Sequence, residues 1–238
     1  MKKPPAVGPY GAHIDLILRE DQVTISRITS GFRFAVELRS AARLMVHKAR
    51  AVAEEESDQL RAFVTAAVIL AYSYLEATLN EFILRNATSN ESPLSEAEKA
   101  IIDFIASEDL RPRDRTITLQ LFNMMLRILQ KPQLAESEEP YQAANAVRLL
   151  RNRLVHPQPG WVTTFSDDPS EDLSQQQKVV KQLRKYLDLD RSSTYPRDIL
   201  TSKCAGWAVR SCESFFQEFV KRSGVDPGFI TDERSYKS

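Results

Sequence analysis

The sequence has few cysteines and few glycines, and each scarcity excludes a class of protein. Two cysteines, Cys204 and Cys212, occur in 238 residues, so disulfides cannot form the framework of the fold. On one predicted helix the two would lie about 12 Å apart, too far to bridge, and we expect both to be buried packing residues. The seven glycines form no phosphate-binding loop, and no zinc-ligand or serine-nucleophile motif occurs. We therefore expect no metal and no cofactor.

An excess of charge of one sign and a long apolar run are also lacking. The 32 basic and 32 acidic side chains balance, so any contact with nucleic acid must come from a local basic patch. The N-terminal segment MKKPPAVGPYGAH has no apolar run of signal-peptide length. The most apolar stretch, AAVILAYSYL, is broken by polar residues and continues into Glu76. We expect no bilayer-spanning helix, no membrane partner and a cytoplasmic location.

The abundant residues are those that favour helices. Apolar residues recur at helical spacing in segments 31–56, 57–86, 95–106, 116–130, 140–155, 174–187 and 196–222. Ser95 and Glu98 form a capping box that opens the third of these segments. Residues 13–28 fit a helix and also alternate as strands do, and we favour a helix. The pattern predicts an all-α bundle with extra N- and C-terminal helices.

The same pattern predicts how the chain is divided. An N-terminal extension covers residues 1–28, one helical domain covers residues 29–222, and a C-terminal tail covers residues 223–238.

The segment LLRNRLVHP, residues 149–157, places a histidine after a run of arginines at a predicted helix end. Arg151 falls at the margin of the apolar stripe of this helix. A guanidinium there needs a carboxylate, a groove open to solvent or a partner subunit, because it cannot release its proton. Pro157 disfavours the α conformation at the preceding residue, so the helix should end at His156. The imidazole can then approach the same solvent space as Arg151 and Asn152.

The residues alone leave a second interpretation open. A histidine at a helix C-terminus is favourable because its cationic form meets the free carbonyl groups of the last turn. Arginines in that turn act in the same way. On this interpretation His156 only caps its helix.

The motif and the helix that carries it resemble the HEPN superfamily. The family signature is an arginine, usually followed by a polar residue, with a histidine a few positions later. Arg151, Asn152 and His156 occupy these positions, with four residues between arginine and histidine. The segment AYSYLEATLNEF resembles the family's preceding helix, with Glu76 as its acidic position. The resemblance covers about residues 57–156.

The resemblance implies a homodimeric, metal-independent endoribonuclease acting as a toxin or phage-defence effector, with a possible antitoxin protein as a further partner. His156 would be the acid and base for attack of a ribose 2′-OH on its phosphate. Arg151 would stabilise the phosphorane, and Asn152 would orient the histidine or the phosphate. The alternative is a non-catalytic HEPN-like module that dimerises or binds nucleotides or RNA. A purely structural helical bundle is a third possibility.

Other residues are candidates for supporting roles. Glu76 is a candidate partner for Arg151, and Arg148 and Arg153 add positive charge near the motif. We expect the 174–187 helix to present a basic face to the RNA backbone. An aromatic residue in the loop before this helix could stack on RNA bases. The residues concerned are Lys178, Lys181, Arg184, Lys185 and Trp161. Basic helix faces are, however, usually only solvated, and an aromatic residue in a loop more often anchors the loop to the core.

Overall fold

The structure is a computed structural model. It describes residues 12–19, 22–30, 34–52, 57–88, 94–107, 118–156, 179–189 and 195–224. The chain divides into two compact units, Met1–Phe34 and Ala35–Ser238.

The N-terminal unit contains a β-hairpin. Strand β1 (Ala12–Arg19) pairs antiparallel with β2 (Gln22–Ser30), with a register shift between Asp15 and Leu16. The helix predicted for residues 13–28 is therefore wrong. The register pairs Ile14 with Ile28 and Leu16 with Ile25. The segment is rich in β-branched residues, which favour a strand over the helix that its apolar spacing also fits.

The second unit is a helical bundle, so the predicted all-α class is confirmed there. Its long helices are α1 (Phe34–Ala51), α2 (Ser57–Thr88), α3 (Glu96–Ser107), α4 (Thr118–Ile128), α5 (Glu139–Val155) and α6 (Ser202–Ser223). Helix α2 is the central element, because α3, α4, α5 and α6 all pack against it, and α5 also packs along α6. Residues 179–183 are helical as well.

Local capping signals account for several helix ends. The backbone N–H of Ser95 donates to the Glu98 carboxylate (2.8 Å), and that of Glu98 donates to the Ser95 hydroxyl (3.3 Å), as the capping box requires. The last helix does not begin near Pro196, as the sequence indicated. It begins at Ser202, because the Thr201 side chain accepts a hydrogen bond from the Cys204 backbone N–H.

Phenylalanines from three helices form the centre of the core. Phe122 of α4 is fully buried, and its ring meets Phe215 and Phe219 of α6 edge to face at centroid distances of 5.2 and 4.9 Å. Phe82 of α2 packs on Phe219 in the same way, at 5.6 Å. Such contacts add to the hydrophobic gain of burying the rings. The core therefore joins α2, α4 and α6.

Both cysteines belong to this core, as the sequence predicted. Cys204 and Cys212 are free and fully buried in α6. Burial raises the pKa of the Cys204 thiol to about 12, because it disfavours the thiolate. It raises the pKa of Cys212 as well. Neither thiol is therefore reactive in the folded chain.

The sequence indicated no helix able to cross a bilayer, yet one segment of α2 meets the criteria of length and composition. It is Asp58–Leu84, with a mean hydropathy of 1.5 in its most apolar window, half of which is buried inside the bundle. Four other helices pack against α2, so part of its apolar surface is covered within the bundle.

We expect Phe122→Ala to lower the free energy of unfolding by about 3–5 kcal/mol, because it removes a buried ring and leaves a cavity. Urea denaturation followed by circular dichroism would measure the change. Phe34→Ala is the matched control: its side chain is 60% exposed, so its loss should cost less than about 0.5 kcal/mol. Equal losses in the two variants would show that the core does not centre on Phe122.

Candidate functional site

The motif lies at the C-terminal end of α5, where the sequence predicted it. The apolar residues Val147 and Leu150 are fully buried against the bundle, and Leu154 is partly buried. The helix ends at Val155, and His156 leaves the helical conformation with φ −123° and ψ 66°. The backbone N–H of His156 still donates to the Asn152 carbonyl at 2.9 Å. The prediction that the helix ends at His156 is confirmed.

The Arg151 side chain is only 7% exposed, and its guanidinium is held by two neighbours. Its Nη1 donates to Asn152 Oδ1 at 3.0 Å, and its Nη2 lies 3.4 Å from Glu76 Oε2. Glu76 comes from α2, so the ion pair joins α2 to α5. The sequence indicated that Arg151 needs a carboxylate, a groove or a partner subunit, and within the chain a carboxylate is present.

The Tyr72 ring completes the surroundings of the guanidinium. The Arg151 Cζ atom lies 5.7 Å from the ring centroid, which places the cation over an aromatic face. Tyr72 precedes Glu76 by one helical turn of α2, so one face of α2 supplies both contacts. Sequence reasoning missed Tyr72; the signal was its spacing of four residues from Glu76.

Polar atoms without partners lie in the same part of the core. Among the described residues, Arg151 Nε and the hydroxyls of Tyr72 and Thr118 are buried and make no hydrogen bond of good geometry. Burial raises the pKa of Tyr72, and the neighbouring Thr118 hydroxyl partly offsets this increase. The guanidinium therefore does not use its full set of five donors within the described residues.

His156 differs from Arg151 in being exposed. By helix geometry the two Cα atoms are about 7.5 Å apart along the axis of α5. The end of α5 thus presents an accessible imidazole one and a half turns beyond a buried, acid-paired guanidinium. An imidazole can exchange protons near neutral pH, and a guanidinium can stabilise an anion.

The two other arginines of the motif face different neighbours. Arg148 Nε donates to Asn145 Oδ1 at 2.9 Å, one turn earlier on α5. Burial raises the pKa of Tyr195, and the positive charge of Arg153 partly offsets this increase.

The basic helix expected at 174–187 is described only in part. Lys181, Arg184 and Lys185 are exposed. Lys185 is engaged with the start of α5, because its ammonium donates to Glu139 (2.5 Å) and Gln142 (2.8 Å). The Glu139 contact raises the pKa of Lys185. Lys185 therefore joins residues 179–189 to the start of α5 instead of presenting an unpaired charge to RNA.

Lys178 and Trp161 lie outside the described residues. Among the residues that the structure does describe, no group of three or more histidine, cysteine, aspartate or glutamate side chains is arranged to hold a metal ion.

Comparison with protein-family models, with curated proteins and with solved structures gave no match to this chain.

We expect Glu76→Ala to lower the free energy of unfolding by about 3 kcal/mol, because it leaves the Arg151 guanidinium buried without a counter-charge. Arg151→Met should cost clearly less, since it leaves behind only a carboxylate that is 27% exposed and still partly hydrated. Urea denaturation of both variants measures this asymmetry.

Lys185→Ala is the control for this comparison. It removes one partner of an ion pair whose side chains are 54% and 59% exposed, and such pairs contribute less than about 1 kcal/mol. If Arg151→Met proved the more damaging substitution, the buried charge would not be the constraint that we infer.

Proposed function

We propose that the chain is a metal-independent endoribonuclease of HEPN type, with its chemistry at the C-terminal end of α5. The observation that supports this most directly is the arrangement of the motif: Arg151 is held by Glu76 and Asn152, while His156 lies exposed beyond the last turn of the same helix. The residue order resembles the family signature, and the two side chains have the chemistry that RNA cleavage without a metal requires.

In the proposed reaction a ribose 2′-oxygen attacks the adjacent phosphorus. His156 accepts the proton of that hydroxyl as the new P–O2′ bond forms. The bond from phosphorus to the 5′-oxygen then breaks, and this oxygen takes a proton from a second imidazole. The products are a 2′,3′-cyclic phosphate and a 5′-hydroxyl. Arg151 would stabilise the negative charge that develops on the phosphorane oxygens.

A second imidazole requires a second chain, since each chain carries one motif histidine. We therefore propose a homodimer in which the ends of two α5 helices meet around the substrate. A role as a toxin or phage-defence effector, the cytoplasmic location and an antitoxin partner are supported only by the resemblance and the composition.

One observation favours the second candidate function, a non-catalytic module that dimerises or binds RNA. Arg151 is 7% exposed and already paired with Glu76, as expected for a structural guanidinium. A substrate phosphate must then reach the few accessible atoms of this side chain. In this alternative His156 caps its helix, and the chain binds RNA without cleaving it.

The test is cleavage of a labelled single-stranded RNA by the full chain in the presence of EDTA. We expect His156→Ala to slow cleavage at least about 100-fold, because the proton acceptor is lost. Arg151→Lys should slow it by a similar factor, because a lysine lacks the planar fork that matches a phosphate. Analysis of the product ends should show the cyclic phosphate.

His47→Ala is the matched control, because His47 is also an exposed histidine at a described position. Circular dichroism must show each variant to be folded before rates are compared. Cleavage unchanged in His156→Ala, or no cleavage by the parent chain, would contradict the nuclease proposal. RNA binding without turnover would then favour the module.

The oligomeric state tests the need for two motifs. Light scattering coupled to size exclusion should give a mass of about twice the 27.1 kDa of one chain. A chain that is monomeric at every concentration at which it cleaves RNA would contradict the two-histidine mechanism.

A further inference from the structure

Side-chain contacts between α1 and α6 bring arginines of the two helices together. Arg43 Nε pairs with Glu213 Oε1 at 2.7 Å. Seven residues further along α1, Arg50 lies beside Gly206, which is seven residues earlier on α6. The two helices therefore run antiparallel, because seven residues forward on α1 correspond to seven residues backward on α6. Arg210 lies one turn beyond Gly206 on α6, and its side chain reaches back to the same glycine.

Two guanidinium groups converge over the backbone of Gly206. A Cβ atom at this position would lie 3.1 Å from Arg210 Nη1 and 3.2 Å from Arg50 Nη2, and these are the nearest atoms to it. The two nitrogens therefore lie within roughly 6 Å of each other, although like charges repel. Both side chains are exposed. An anion bound between them would offset the repulsion and accept hydrogen bonds from both.

Glycine is a poor residue for a helix interior, since it loses more conformational freedom than alanine. At Gly206 the neighbours that a methyl group would crowd are these two guanidinium groups rather than backbone or apolar atoms. The missing side chain thus allows Arg50 and Arg210 to approach the helix and each other.

A cavity of about 250 Å³ lies along the same two helices. It is lined by Arg39, Arg43, Glu213 and Gln217 and by the aromatic residues Tyr74 and Phe216.

We name the surface formed by this cavity and the arginines over Gly206 the α1–α6 groove. It is defined by Arg39, Arg43, Arg50, Arg210 and Glu213. Four of its five members are cationic. Arg39 and Arg50 are about 16 Å apart along α1, a length that covers several phosphates of a nucleic acid strand.

The charge of this groove contrasts with the zero net charge of the chain. Helix α1 contains one acid, Glu37, in its first turn, and basic residues Lys48 and Arg50 in its last turn. The guanidinium fork matches phosphate oxygens and is less strongly hydrated than an ammonium, so arginines are suited to a phosphate backbone. A row of them fits a polyanion better than a single small anion.

We propose that the α1–α6 groove binds the phosphate backbone of single-stranded RNA. The choice of RNA rests on the proposed function, whereas the phosphate specificity follows from the arginines themselves. The groove is a candidate RNA surface in addition to the 174–187 helix, of which Lys185 is engaged by Glu139 and Gln142.

The experiment measures binding rather than cleavage, so that it does not depend on the nuclease proposal. A fluorescein-labelled 2′-O-methyl RNA of about twelve nucleotides is titrated with the full chain, and anisotropy is followed from about 50 to about 200 mM salt. The 2′-O-methyl group removes the attacking hydroxyl, so the probe cannot be cleaved by the proposed reaction.

We expect the double variant Arg50→Ala, Arg210→Ala to raise Kd on the order of tenfold. The slope of log K against log salt should fall by about 1.4, the value for two phosphate contacts on a single strand. The matched control is Lys203→Ala with Lys221→Ala, which removes two positive charges from α6 positions that are 76% and 79% exposed. We expect the control to bind as the parent chain does.

Unchanged binding in the arginine variant, or an equal loss in the lysine control, would overturn the proposal. Vesicles containing anionic lipid form a second arm. Binding to vesicles but not to the probe, lost in the arginine variant, would assign the groove to a membrane and also overturn it. Binding by the groove together with an absence of RNA cleavage would refute the nuclease but leave the groove intact.

Discussion

A guanidinium buried between two core helices is the constraint on which the site depends. Arg151 cannot release its proton, so α5 can pack on α2 only where α2 offers a compensating group. Glu76 supplies a carboxylate 3.4 Å away, and the Tyr72 ring supplies an aromatic face one turn earlier. Together they fix the rotation of α5 about its own axis. That rotation decides which residues of the last turn face the core, and His156, which follows the last helical residue, lies at the surface.

The Arg151–Glu76 pair contributes both to the stability of the bundle and to the proposed chemistry. Its geometry limits both contributions. The contact of 3.4 Å is longer than a charge-assisted hydrogen bond of optimal length, and Arg151 Nε has no partner among the described residues. The pair therefore holds the guanidinium in place without using all of its donors. A shorter, bidentate pair would stabilise the bundle more and leave less of the cation for a substrate anion.

Features encoded by neighbouring residues were predicted well from the sequence, and features encoded by packing were not. The Ser95–Glu98 capping box and the helix end at His156 depend on a few adjacent residues. The hairpin was missed because residues 13–28 satisfy two periodicities at once, and the choice between them depends on strand pairing. The approach of Arg50 to Arg210 depends on the register of α1 against α6, which no local pattern reveals.

A chain of zero net charge can bind a polyanion only where its arginines are clustered. Among the described residues, Arg151 and the arginines over Gly206 differ in how strongly salt screens them. Arg151 is almost fully buried beside its acid, so dissolved ions screen that pair weakly. The arginines that meet over Gly206 are exposed, so dissolved ions screen them strongly. On the proposed function, rising salt should therefore weaken the capture of RNA well before it disturbs the chemistry at the end of α5. The two sites therefore differ in their response to salt, although both belong to one helical bundle.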